Sequence, residues 1–220
     1  MNDPLRTITR EQIIAALDLA VLRPAARLED VTNAARVVED LGMASLCVAS
    51  YNVAVAKQIT SRVCSVIGFP HGNTSPDVKF TEAREALEDG AVELDVVINF
   101  GRFLEGREMV VVQELGRIVQ LARKKKALVK TILETCYFQP GQIIDACGLC
   151  MDCGVDFVKT STGFGPEGAT PWAVKLMLEA VNGAIQVKAS GGIKTYADAA
   201  LYLGLGCTRL GSSRYRELLP

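Results

Sequence analysis

The sequence predicts an α/β protein, a single-domain (β/α)8 TIM barrel of parallel strands. Three observations lead there. Eight short apolar runs recur along the 220 residues, and most are rich in β-branched side chains. An amphipathic or alanine-rich segment of helical period separates each run from the next. The runs are near-continuous rather than alternating, as strands become when helices cover a parallel sheet. A doubly wound open sheet would share this pattern, but no G-x-G-x-x-G opens a helix after the first run.

The elements follow in order. Strands are expected at 17–22 (LDLAVL), 44–49 (ASLCVA), 63–69 (VCSVIGF), 92–99 (VELDVVIN), 127–135 (ALVKTILET), 155–161 (VDFVKTS), 185–190 (IQVKAS) and 207–212 (CTRLGS). Helices are expected at Asp30–Leu41, Val53–Arg62, Lys79–Asp89, Glu108–Lys125, Gln142–Cys153, Pro171–Asn182 and Tyr196–Leu203. Gly42, Gly90, Gly154, Gly204 and Gly206 fall where several of these helices should stop. Residues 1–16 read as an N-terminal helical extension. With 49% hydrophobic residues and no Pro/Ser-rich linker, residues 1–220 are expected to form one domain.

Composition excludes several function classes. Lys+Arg number 24 and Asp+Glu 25, so there is no basic footprint for nucleic acid. Lys124-Lys125-Lys126 reads as a solvated helix end. No run is long enough for a membrane span, and Met1–Arg10 lacks the layout of a signal peptide, so a cytoplasmic protein is expected. Cys47, Cys64 and Cys207, in apolar runs, read as small core residues. Cys147, Cys150 and Cys153 have metal-like spacing but no further ligand nearby in sequence, and His71 is the sole histidine. A packed helix face is the expectation for the three thiols, with neither metal nor cofactor. His71 reads as a loop histidine bonded to backbone.

Four charged residues of the strand runs stand out where packing alone would favour apolar ones: Asp18, Asp95, Lys159 and Lys188. Lys159 ends an apolar run before a polar, glycine-containing turn, and Lys188 repeats this placement twenty-nine residues later. Burial lowers an amine's pKa, and a neutral amine attacks carbonyls to form a Schiff base. Strand parity puts Glu93, Asp95 and Val97 on the lumen face, leaving Leu94, Val96 and Ile98 for the helices. A second cation beside Lys159 would disfavour its protonation, and a carboxylate could carry protons at the carbon centre. A structural Asp95–Lys188 ion pair explains the same residues equally well. Ser190-Gly191-Gly192 and Gly211-Ser212-Ser213 follow the last two strands, where barrels bind phosphate through backbone N–H groups.

With these residues the chain resembles the deoxyribose-phosphate aldolases, class I (Schiff-base) aldolases on a (β/α)8 barrel. The resemblance runs from about Leu17 to Ser213. It is carried by Val66–Gly72 (VIGFPHG), Glu93–Asn99 (ELDVVIN) after Gly90-Ala91, Phe157–Phe164 (FVKTSTGF), Gly168-Ala169-Thr170, Val187–Ile193 (VKASGGI) and Arg209–Ser213 (RLGSS). It implies reversible, metal-free cleavage of 2-deoxy-D-ribose 5-phosphate to D-glyceraldehyde 3-phosphate and acetaldehyde, in deoxyribonucleoside catabolism. By position it implies Lys159 as Schiff-base lysine, Asp95 as proton carrier, Lys188 as the lysine tuning the nucleophile and Asp18 as part of the supporting network. It places the substrate phosphate at Gly163, Gly191, Gly192, Gly211, Ser212 and Ser213, and it suggests a homo-oligomer, dimer or tetramer. Leu19 and Ala20 stand where the family usually has a polar residue and a threonine, which implies proton transfer slowed or rerouted through water. Another Schiff-base aldolase, or a weakened sugar-phosphate-binding relative, would carry the same lysine.

Overall fold

The computed structural model describes residues 8–219. Eight parallel strands close into a barrel in chain order: β1 Leu17–Val21, β2 Ser45–Ala49, β3 Val63–Ile67, β4 Glu93–Val97, β5 Leu128–Ile132, β6 Phe157–Lys159, β7 Gln186–Ser190 and β8 Arg209–Ser212. Closure comes from β8 pairing with β1, with Asp18 opposite Gly211. All eight expected strands are present, each trimmed at one or both ends.

The helices are α1 Arg10–Ala16, α2 Leu28–Leu41, α3 Val53–Lys57, α4 Pro76–Glu88, α5 Phe100–Leu104, α6 Glu108–Lys124, α7 Pro140–Cys153, α8 Pro171–Val181, α9 Tyr196–Leu205 and α10 Tyr215–Leu218. Of the expected N-terminal extension, residues 1–7 lie outside the described residues, and α1 occupies most of the rest. Local chemistry sets the ends. Ser75 and Thr170 cap α4 and α8 with a proline at the next position, and Thr195 with Asp198 forms a capping box on α9. Gly42 and Gly154 end α2 and α7 in the left-handed conformation. Gly204 does not end α9 as expected: the helix runs past it to Leu205, and Gly206 takes the cap. Helix α3 stops at Lys57, short of the expected Arg62, and α5 and α10 have no sequence expectation.

The main core lies between strands and helices. Leu46, Val48, Leu94, Val96, Val129, Val158, Val187 and Leu210 of the strands share one cluster with Val31, Ala83, Leu115, Ile118, Ile143, Val174 and Met177 of the helices. Each such aliphatic side chain contributes roughly 1.5–3 kcal/mol when fully buried. Cys147 and Cys150 belong to this core, and Cys153 is packed against it. These contacts make the thiol face of α7 a packed one, and burial there pushes the Cys147 thiol up to about 12. Among the described residues, no helix is long and apolar enough to cross a membrane.

Candidate active site

Strand alternation turns Leu94, Val96 and Ile98 toward the helices and Glu93 and Asp95 inward, as the sequence parity predicts. The strand register stacks the inward residues in layers of four taken from alternate strands. Ser45, Glu93, Phe157 and Arg209 form the floor. Asp18, Cys64, Lys130 and Lys188 come next, and Cys47, Asp95, Lys159 and Gly211 lie above, nearest the C-terminal mouth. Branched aliphatic residues usually fill these layers. Here they hold seven charges.

Asp95 is the hub. Its Oδ2 accepts from Lys159 Nζ and Lys188 Nζ, each at 2.7 Å. Its Oδ1 accepts from Lys130 Nζ at 2.8 Å and from the Cys64 thiol at 3.2 Å. Asp18 accepts from Lys188 and, at 2.7 Å, from Arg209. Glu93 joins Lys130 at 2.5 Å and holds Arg209 through both oxygens at 3.1 Å. Three carboxylates thus face four cations. Lys130, Lys188 and Arg209 balance Asp18, Glu93 and Asp95, and Lys159 is the cation in excess.

The electrostatics follow from this packing. Burial alone would raise the Asp95 carboxyl, but Lys130, Lys159 and Lys188 together hold it well below the usual carboxylate range. Asp18 is likewise held low against its burial, by Lys188, Lys130 and Arg209. Lys188 is the second cation that the sequence expects beside Lys159. Burial would lower it, yet Asp18 and Asp95 outweigh burial and neighbouring cations and hold it above the ordinary lysine value. These carboxylates favour the ammonium form of Lys188, which pairs with Asp95 at 2.7 Å.

Above the charges opens a pocket of about 270 Å³. Asp18, Lys159, Lys188, Gly163, Gly191, Gly192, Gly211, Ser212 and Ser213 all line it; Asp95 sits directly behind, fully buried. The structure therefore gathers all ten candidate residues in one place. The glycine turns are built by close backbone approach. A Cβ on Gly168 would lie 2.2 Å from the Gly191 carbonyl oxygen, so only glycine lets the segment after β6 lie against the turn after β7. Gly191 and Gly192 have φ of 81° and 78°. A Cβ on Gly211 would lie 2.9 Å from Ser190 Cβ and 3.3 Å from Lys188 Cε. The Ser212 hydroxyl donates to Ile193 O at 2.7 Å, so it ties two turns together rather than standing free for an anion. Arg23, Lys194 and Arg214 also line the pocket and make it cationic.

Other functional neighbours are not singled out by the sequence. Lys130 sits in the run ALVKTILET, so the signal that marks Lys159 applies to it as well. Arg209 lies at a strand start, where charge is unremarkable, and parity turns Glu93 inward without giving it a role. Glu134, fully buried and left-handed at φ 58°, accepts from Thr162 N at 3.2 Å and from the Thr162 hydroxyl, pinning the loop after Lys159. Burial pushes its carboxyl up. Cys47, expected chiefly as core, lines the pocket, as does Ala20; Leu19 points the other way into the core. His71 is exposed and outside the pocket. Cys47, Cys64 and Asp95 bring donor atoms within 4.8 Å of one another. Ammonium groups occupy both Asp95 oxygens, so this trio suits a hydrogen-bonded cluster better than a metal site.

Comparison with known proteins decides the family, because residues 12–203 match the DeoC/LacD family aldolases. The chain belongs to the DeoC/LacD aldolase family. Its relatives in that family include the deoxyribose-phosphate aldolase of Treponema denticola, 40% identical over 201 residues that cover 90% of this chain and 93% of that protein. The enzyme of the same name from Thermococcus gammatolerans is 44% identical over 203 residues, with 90% of each chain covered. Among solved structures, a tetrameric deoxyribose phosphate aldolase from Aeropyrum pernix superposes with a TM-score of 0.89 at 33% identity, covering 97% of this chain and 92% of that one. Mandelate oxidase structures match at a TM-score near 0.65 and 12–14% identity, which is a likeness of barrel fold alone.

Proposed function

We propose that this protein is a class I aldolase that reversibly cleaves 2-deoxy-D-ribose 5-phosphate to D-glyceraldehyde 3-phosphate and acetaldehyde, in deoxyribonucleoside catabolism. The observation that carries the reading is Lys159. It is a buried lysine at the end of β6, 2.7 Å from Asp95, facing a cationic pocket walled by the β7 and β8 glycine turns. The family's deoxyribose-phosphate aldolases support the substrate.

In the cleavage direction the neutral Lys159 amine adds to the C1 aldehyde of the open-chain sugar. Lys188 is placed to protonate the departing hydroxyl, which leaves as water and gives an iminium. The iminium draws the C2–C3 electron pair as the C3 hydroxyl passes its proton, through water, to the Lys188 amine left by the previous step, releasing the three-carbon aldehyde and leaving an enamine on Lys159. Protonation of the enamine carbon and hydrolysis then return acetaldehyde and the free amine. Asp95 serves this cycle as an anion that steadies each cationic stage and takes part in proton exchange with Lys188 and water. Asp18 holds Lys188 from behind. Backbone N–H groups around Gly163, Gly191, Gly192, Gly211, Ser212 and Ser213 would hold the phosphate, aided by Arg23, Lys194 and Arg214. No step calls for a metal or cofactor, so activity should survive a chelator.

We further propose one domain spanning the chain, a cytoplasmic location and a homo-oligomer, dimer or tetramer. Seven free cysteines suit a reducing compartment, and the Aeropyrum pernix tetramer supports assembly. Borohydride reduction in the presence of acetaldehyde tests the chemistry. An alkylated Lys159 in the peptide map is the expected result; absence of any adduct would sink the aldolase reading. A retro-aldol assay on deoxyribose 5-phosphate then tests the substrate.

A further inference from the structure

We infer that Cys47 and Cys64 are a modification site, which hydrogen peroxide entering the pocket converts to a reversible disulfide. The cross-link stands on the geometry of two strands, and only its effect on turnover rests on the aldolase reading. Register sets Cys47 of β2 directly beside Cys64 of β3, and both thiols reach inward to Asp95. Neighbouring strands lie about 4.8 Å apart, inside the roughly 4.4–6.8 Å that a disulfide spans between its Cα atoms. The two sulfurs and an Asp95 oxygen already lie within 4.8 Å of one another.

The two thiols are placed for different tasks. Cys47 lines the pocket, where a small oxidant reaches it. Cys64 lies beneath, fully buried and absent from the pocket wall. Of the seven cysteines, Cys47 alone has its thiol lowered from the ordinary value. Hydrogen bonding by Cys64 is the largest cause, opposed by burial and Asp95 and assisted by Lys188 and Lys159. Burial raises the other six. A reachable thiol of thiolate character beside a second thiol is the arrangement that peroxide oxidises and the neighbour resolves. The Cys47 sulfur attacks one peroxide oxygen and the O–O bond breaks. Cys47 becomes a sulfenic acid, and its proton leaves with the other oxygen as water. The Cys64 sulfur then attacks the Cys47 sulfur, forming the S–S bond and breaking the S–O bond. The Cys64 proton leaves along its 3.2 Å hydrogen bond to Asp95 Oδ1 and joins the departing hydroxide as water. Two thiols and one hydrogen peroxide thus give one disulfide and two waters. The cross-link removes both S–H groups that face Asp95, so the carboxylate shifts beneath Lys159 and turnover falls until a thiol reductant restores the pair.

The test treats the intact protein with hydrogen peroxide, blocks the remaining thiols and maps its peptides without reductant. We expect a linked peptide joining Cys47 to Cys64, which dithiothreitol splits. Turnover of deoxyribose 5-phosphate should fall by about 10²-fold, as misplacement of a catalytic group does, and return with dithiothreitol. In Cys64→Ala, peroxide should carry Cys47 on to the sulfinic acid, which dithiothreitol does not reverse. The activity lost, measured against that variant's own untreated rate, should then stay lost. Wild type in which both thiols remain free, or in which Cys47 pairs elsewhere or stops as a sulfinic acid, overturns the inference. That map decides the matter even if Cys64→Ala does not fold. A linked peptide with unchanged turnover overturns the effect on the active site. If untreated wild type cleaves no deoxyribose 5-phosphate, the aldolase reading fails, and the peptide map still decides the cross-link.

Discussion

The two faces of the same eight strands differ completely. Outward, β4 presents Leu94 and Val96 to the helices in a continuous apolar shell. Inward, two residues on the same strand are Glu93 and Asp95, wired to Lys130, Lys159, Lys188 and Arg209. The shell gains stability from area removed from water, a non-directional term that tolerates exchange among residues of similar volume. The lumen gains little net stability from its ion pairs, since desolvation offsets much of their attraction. What the lumen holds instead is a set of charges fixed within a few ångströms beneath Lys159, the proposed nucleophile. Stability and chemistry are thus divided by strand parity, one residue apart.

Lys159→Leu tests the division most sharply. Turnover should fall by on the order of 10³-fold or more, as loss of a covalent nucleophile does. The fold should survive, because Asp95 keeps Lys130 and Lys188 as partners. Activity near wild type, or a collapsed circular dichroism spectrum, would each break the division.

Leu115→Ala is the converse. It removes a fully buried side chain from the outer shell on α6 and should cost about 2–5 kcal/mol in denaturant unfolding. Below the transition kcat should stay near wild type; a large fall would mean that shell and lumen are coupled.

Gly168→Ala sits between the two in effect. Its new methyl would meet the Gly191 carbonyl oxygen 2.2 Å away and force the two turns apart. We expect the KM for the sugar phosphate to rise by roughly tenfold, since lost phosphate contacts are charge-assisted and worth about 1.5–3 kcal/mol each. The borohydride adduct with acetaldehyde, which carries no phosphate, should form as in wild type.

Ala20→Thr gives the smallest change and the only gain. Ala20 lines the pocket with a methyl where the family usually offers a hydroxyl. A threonine there should raise kcat by a few-fold, within the range of a single added proton-transfer partner. A solvent isotope effect on kcat should shrink with it; an unchanged isotope effect would show that water already serves the relay well.

Much of the fold and of the site is legible in the amino-acid sequence. The eight strands follow from apolar runs divided by helical periods, and Asp18, Asp95, Lys159 and Lys188 from charge inside those runs. Lys130 carries the same mark but is masked, because ALVKTILET also holds Thr131 and Glu134 and reads as an ordinary amphipathic strand. Arg209 gives no signal, since a charge at a strand start is normal until the barrel closes beneath it, and parity turns Glu93 inward without naming its partners. Gly168 belongs to a recognisable motif, but its contact with Gly191 depends on two turns meeting.

The sequence by itself determined the order of elements, the inward parity of the charged positions and the lysine able to form a Schiff base. These follow from period, hydrophobicity and residue type along a local stretch; the Schiff-base role of that lysine is the proposal made above. Tertiary structure alone decided how the charges pair. Whether Lys188 sheds or keeps its proton depends on Asp18, which lies 170 residues away in the chain. The stagger of a closed barrel, with β8 laid against β1, brings that carboxylate to it. Coulomb interactions at about 3 Å outweigh burial only when the partner is in place, and no local pattern records where the partner is.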